Sequence, residues 1–157
     1  MLRKIRSKKI RSANGRFAIV AAEYNGEYVN SMLRAARATL AAGGAAAVRV
    51  VRVPGAFEVP VAAAALARQK NPPWAGIICL GVIFRGETTH AQHIGEAVTL
   101  ALSQLAVETE VPMIHEVLLL ENRAQADKRC LDPRHNRGAE AAQTALAMSG
   151  TMSRLRA

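Results

Sequence analysis

Four short apolar runs, each followed by a helix-patterned segment, limit this chain more than any other feature. Phe17 to Ala22 is apolar throughout and reads as a buried strand. From Asn25 the period changes: Val29, Met32, Leu33, Ala36 and Leu40 fall on one face of a helix, and Gly43-Gly44 ends it. Ala47 to Val53 is rich in β-branched residues and predicts a second strand. Pro54-Gly55 marks a turn, after which Phe57 to Gln69 is helical in pattern, with Pro60 tolerable only in the first turn. Asn71-Pro72-Pro73 closes that element. Ile77 to Phe84 is a third strand, apolar enough to be covered on both faces. The loop Arg85 to Thr89 leads into a long helix carrying Ile94, Ala97, Val98, Ala101 and Leu105. Met113 to Leu120 is the fourth strand, followed by two short helices around Gln125 and Ala141. Strands alternating with helices through short links predict an α/β fold: a three-layer α/β/α sandwich around a four-stranded, mainly parallel sheet.

At 157 residues the chain suits one domain, large enough to bury a core without metals or disulfides. Its net charge of +9 raises the question of nucleic acid, but seven basic and no acidic residues lie in Met1 to Arg16. Setting those seven aside leaves +2, so the basicity belongs to a tail. The expected organisation is a flexible basic arm over residues 1–16 and one domain over 17–157. A nucleic-acid role is not expected. Cys79 and Cys130 have no metal-ligand or CxxC spacing, so no disulfide framework is predicted and a reducing cytoplasm fits. No apolar stretch approaches membrane-spanning length.

In a parallel sheet, ligands bind at the carboxyl ends of the strands. That rule nominates four loops: Glu23 to Asn25, Pro54 to Glu58, Arg85 to His90, and the segment after Leu120. Thr88 or Thr89 can cap the long helix, making its amino terminus an anion site suited to phosphate; an ordinary cap with nothing bound is the plain alternative. His90, in the first turn, can exchange protons near neutral pH, or simply be a surface histidine. His93 makes an HxxH spacing, but no further ligands complete a metal set. Arg129 and Arg137 offer planar forks for phosphate oxygens. Tyr24 can stack on a flat ring or pack, and Glu58 can accept from sugar hydroxyls or favour its helix start.

Together these segments resemble the lumazine synthase family over nearly the whole chain after the arm. Val53-Pro54-Gly55-Ala56-Phe57-Glu58-Val59-Pro60 is similar to its VPGAFE signature. Leu80 to His90 is similar to its LG-x-V-I-R-G-x-T-x-H signature, with Ile83-Phe84 where valine and isoleucine are usual. Gln125-Ala126 with Lys128-Arg129, and Asn136 to Ala142, resemble its last two conserved stretches. The resemblance implies a flavodoxin-like arrangement and a cofactor-free transferase of riboflavin synthesis. It would condense 5-amino-6-(ribitylamino)uracil with 3,4-dihydroxy-2-butanone 4-phosphate in homopentamers, or in shells built of them, with sites at subunit boundaries. Carried over by motif, Tyr24 would stack on the pyrimidine, and Ala56, Phe57 and Glu58 would hold the ribityl chain. Val82, Ile83 and Phe84 would meet the pyrimidine through backbone groups. Glu87, Thr88 and Arg129 would bind the sugar phosphate, Arg137 would add supporting charge, and His90 would move protons. His115 stands where the family has a phenylalanine lining a neighbour's site. Glu116 replaces a glycine, Arg137 a lysine, and Leu119-Leu120 a polar pair; Glu23 stands where arginine is frequent. These departures frame one alternative, a shell-forming or flavin-binding homologue with weak or lost catalysis. An unrelated doubly wound nucleotide-binding module is a second.

Overall fold

The computed structural model describes residues 14–157, so the predicted flexible arm lies outside the described residues except for its last three. Of those, Arg16 is no part of an arm. It opens the first strand, its guanidinium sits 4.5 Å over the Trp74 ring, and it donates to the Pro72 carbonyl at 3.1 Å.

Strands β1 (Arg16–Ala22), β2 (Ala47–Val53), β3 (Gly76–Phe84) and β4 (Met113–Leu120) form one sheet in the order β2-β1-β3-β4, and every pair is parallel. Helices α1 (Gly26–Ala42), α2 (Val59–Ala67) and α3 (His90–Thr109) make the three crossovers. The chain steps from β1 to β2 in one direction and from β2 through β3 to β4 in the other. Because such crossovers are right-handed, that reversal puts α1 on one face of the sheet and α2 with α3 on the opposite face. The buried side chains follow this division. Phe17, Ile19 and Ala21 pack with Val29, Met32, Ala36 and Leu40 of α1, while Ala18, Val20 and Ala22 pack with Val59, Ala63, Val98 and Leu102 of α2 and α3. Alternate residues of β1 thus serve opposite cores, as the period of two requires.

Three elements differ from the sequence expectation. The final helix is not short: α5 spans Arg137–Leu155, 19 residues, and packs beside α1. Its buried face is Gly138, Ala141, Ala142, Ala145, Leu146 and Ser149. All but Leu146 are small and carry little hydrophobic signal, yet they let two helices approach closely. A Cβ on Gly138 would overlap the main-chain carbonyl of Met32. The segment around Gln125 is a single turn, α4 (Arg123–Ala126), capped by Asn122 Oδ1 accepting from Gln125 N at 2.9 Å, and it runs into a π turn over Asp127–Leu131. The element after Pro54-Gly55 also divides, into a 3-10 turn at Ala56–Glu58 followed by α2, with Pro60 in the first turn as required.

Candidate active site

The nominated loops all emerge at the carboxyl edge of the sheet. Between β1 and β3 the chain leaves neighbouring strands for opposite faces, which opens a crevice at that edge. The exits of β1 and β2 are joined by main-chain bonds: Glu23 N donates to Val53 O at 2.8 Å, and Tyr24 N to Pro54 O at 3.0 Å. Tyr24 is thereby laid over Gly55, where an added Cβ would stand 2.8 Å from its ring and 3.1 Å from Glu58 Oε2. Gly55 is the point at which ring and carboxylate converge, and its N–H donates to Glu58 Oε2 at 3.0 Å. Ala56 packs toward Gly81 of β3. Tyr24 is 68% exposed and Phe57 62%, so neither ring is spent on the core and both are available to a ligand.

Asn25, which falls in a nominated loop but was given no role of its own, bridges the crevice. Its Nδ2 donates to the Val82 carbonyl at 2.7 Å, tying the end of β1 to β3. It adopts φ 57°, ψ 41°, a left-handed conformation that asparagine tolerates better than most residues. An asparagine followed by Gly26 at a strand end was the available signal. Of the other β3 residues, Ile83 is partly buried against the α2/α3 core, whereas the Phe84 ring packs edge-on to Tyr28 at 5.7 Å in the α1 layer.

Beyond β3, Glu87, Thr88 and His90 are all exposed. Thr88 Oγ1 accepts from His90 N at 3.3 Å, while Thr89, at the cap position, contacts His93 Nε2 at 3.2 Å and makes no side-chain cap bond. The first turn of α3 itself contains no acidic residue, the nearest carboxylate in sequence being Glu87, two residues before the cap. His93 is committed to this local contact, and among the described residues no three His, Cys, Asp or Glu side chains gather as a metal group.

His115, on β4, faces α3. Its Nε2 lies 2.7 Å from Thr99 Oγ1, which donates to Gly95 O at 2.7 Å; its Nδ1 accepts from Val117 N at 3.1 Å. With the Thr99 hydrogen already used, the ring is neutral and carries its proton on Nε2. Desolvation holds its pKa below the ordinary value. A lowered imidazole pKa stabilises the fold above the unfolded value, and the contribution is lost as pH falls through the imidazole range toward the lowered folded value. Unfolding free energy is therefore expected to drop between pH 7 and pH 5, and His115→Phe to remove part of that drop; an identical pH profile in the variant would contradict this.

On the opposite face, Glu116 and Arg137, two departures from the family pattern, pair with each other. Arg137 Nε donates to Glu116 Oε2 at 3.1 Å and its Nη1 to Glu140 Oε2 at 2.9 Å. Its fork is thus engaged within the chain. Burial raises the Glu116 pKa even though the neighbouring guanidinium lowers it. Because Arg137 is about one-third exposed, the pair is partly screened. Arg137→Met, leaving the buried carboxylate without its partner, is expected to cost about 2 kcal/mol. Adding Glu116→Gln should recover most of that, as a double-mutant cycle in urea would measure.

Arg129 lies in the π turn, on the α1/α5 side of the sheet. Within one chain, the elements bearing His90 and His115 and those bearing Arg129 and Arg137 therefore flank opposite faces. Cys79 and Cys130 are buried, and desolvation pushes their thiols up to about 12 and about 11, which suits inert packing rather than nucleophilic chemistry.

An all-parallel sheet with polar and aromatic side chains collected at its switch point defines an α/β protein of flavodoxin-like order, a class whose members bind ligands at the carboxyl edge of the sheet. The family model for 6,7-dimethyl-8-ribityllumazine synthase matches residues 14–153. The synthase of that name from Kineococcus radiotolerans is 44% identical over 83% of this chain and 81% of its own. Synthase 1 of Caulobacter vibrioides is 38% identical over 90% and 92%, and the Xanthomonas campestris synthase 34% over 93% and 95%. The chain belongs to the 6,7-dimethyl-8-ribityllumazine synthase family.

Proposed function

We propose that this chain condenses 5-amino-6-(D-ribitylamino)uracil with 3,4-dihydroxy-2-butanone 4-phosphate to give 6,7-dimethyl-8-ribityllumazine, releasing phosphate and water. The observation that carries this reading is the convergence of Tyr24 and Glu58 over Gly55, within a segment that matches the family's signature, at the sheet's switch point. Tyr24 stacks on the pyrimidine. Ala56, Phe57 and Glu58 take the ribityl chain, the Glu58 carboxylate accepting from its hydroxyls. Val82, Ile83 and Phe84 border the ring through main-chain groups. Glu87 and Thr88 offer main-chain N–H groups at the start of α3 to the phosphate, and Arg129 supplies the guanidinium.

His90 moves protons as the primary amine of one substrate attacks the carbonyl of the other and water leaves to form the imine; phosphate then departs, and ring closure by the ribityl-bearing nitrogen onto the remaining carbonyl expels a second water. Holding two reactants together can contribute about 7–11 kcal/mol in favourable systems. Proton transfer adds on the order of a hundredfold. His90→Ala is accordingly expected to lower kcat about a hundredfold without abolishing turnover. A loss equal to that of the uncatalysed reaction would remove the approximation argument.

The opposite placement of the His90 and Arg129 elements supports a site shared between copies, with Arg129 reaching a neighbour's pocket. Val61, Leu100 and Val107 are exposed along α2 and α3, beside a groove lined by Pro60, Ala64, Ala101 and Leu105, as an oligomer-forming surface would be. The assembly is a pentamer or is built of pentamers and works in the cytoplasm; no described helix is long and apolar enough to cross a membrane. An assay with both substrates tests the function, since a shell or flavin-binding homologue without catalysis would form no lumazine. Light scattering on the same sample reads the assembly.

A further inference from the structure

We infer that Ser31 and Asn136 are positioning residues that set Arg129 for the sugar phosphate, an inference that rests on the phosphate reading of Arg129 given above. Arg129 sits in a single π turn, Asp127–Leu131, a geometry rare in proteins and concentrated at functional sites. Near the end of such a turn the carbonyls lack donors from within the helix. Here the Cys130 carbonyl, one peptide beyond Arg129, receives two donors from outside the turn. Ser31 Oγ of α1 donates at 2.7 Å, and Asn136 Nδ2, at the start of α5, donates at 2.7 Å. The two donors also meet each other at 3.4 Å. Asn136 is 6% exposed, and its amide is engaged at both ends: Oδ1 accepts from Gly138 N at 2.8 Å and from Ala139 N at 3.4 Å, capping α5. One side chain therefore joins the start of α5 to the π turn, and a second joins α1 to the same carbonyl. Consecutive Cα atoms are about 3.8 Å apart, so anchoring the Cys130 peptide from two elements leaves the Arg129 backbone little freedom. Cys130 is buried and Arg129 exposed, so the anchor lies beneath the turn and the guanidinium above it.

The amide's two roles separate by substitution. Asn136→Asp keeps the cap, because a carboxylate accepts the same N–H groups, but loses the donor to Cys130 O. Ser31→Ala removes the second donor at a position where alanine is an excellent helix former. In the assembled full-length enzyme, the Ser31→Ala/Asn136→Asp double variant is expected to raise KM for the butanone phosphate about tenfold. The inhibition constant of inorganic phosphate should rise in parallel, while KM for the ribitylaminouracil stays within about twofold. Ser31→Thr, which retains the hydroxyl, should leave the butanone-phosphate KM close to that of the parent enzyme. A folded double variant with unchanged butanone-phosphate KM, or with both KM values rising together, overturns the inference. Should the double variant not fold, Ser31→Ala alone decides: about a threefold rise in that KM is expected, and none is disproof. Arg129→Ala run alongside separates the two levels. If it leaves the butanone-phosphate KM unchanged, the phosphate reading itself fails; if it raises that KM while the Ser31 and Asn136 variants do not, only the positioning role fails.

Discussion

Arg129→Ala is expected to lower kcat/KM for the butanone phosphate about a thousandfold while leaving affinity for the ribitylaminouracil nearly intact. Each charge-assisted hydrogen bond from a guanidinium to a phosphate contributes about 1.5–3 kcal/mol, and a fork that makes two would lose roughly 4 kcal/mol on truncation. Lysine at this position should recover part of the loss, because it restores the charge but not the planar pair of donors. The segregation of the effect is as informative as its size. A guanidinium that only stabilised the fold would weaken both substrates, and full activity of Arg129→Ala at low butanone phosphate would remove Arg129 from the site. The measurement also bears on Arg137, whose fork is held by Glu116 and Glu140. If Arg137 contributes only long-range charge, its truncation should affect KM far less than truncation of Arg129.

Gly138→Ala should be among the most destabilising single-methyl changes available in this chain. An added Cβ would overlap the Met32 carbonyl, which is main chain in the middle of α1 and cannot swing aside as a side chain would. Relief requires α5 to move away from α1, which would disturb the Ala141, Ala142 and Ala145 contacts and the Asn136 cap. Overpacking of this kind costs about 3 kcal/mol or more when the obstacle is rigid. Gly150→Ala is the matched control in the same helix. The nearest atom to its added Cβ is the flexible end of Arg154, at 3.6 Å, so the ordinary helix preference for alanine should stabilise it by about 0.5–1 kcal/mol. Urea unfolding of the two variants reads opposite signs, and a Gly138→Ala protein as stable as the parent would mean that α5 is not held where it is described.

How much could be read beforehand differed from element to element. The strands and α1 were legible because their residues are strongly apolar and their periods clean; Val29, Met32, Ala36 and Leu40 are buried as the spacing predicts. The length of α5 was not, because apart from Leu146 its buried face is made of glycine, alanine and serine, whose value lies in being small against α1. The π turn was also hidden. No local pattern in Asp127–Leu131 marks it, and the donors to its Cys130 carbonyl lie 99 residues earlier and six residues later in the chain. Asn25 lay in a nominated loop, but its role was hidden because its bond to Val82 spans 57 residues.

Sequence by itself therefore determined the class of fold, the four carboxyl-end loops and the family, since these follow from local periodicity and from contiguous motifs. Tertiary structure alone decided that Tyr24 and Glu58 meet over Gly55, that Glu116 and Arg137 neutralise each other, and that the His90 and Arg129 elements flank opposite faces of the sheet. The physical reason is range. Periodicity reports what a residue's near neighbours require, whereas a site is made by pairing strands and closing crossovers, which bring together side chains that no local pattern connects.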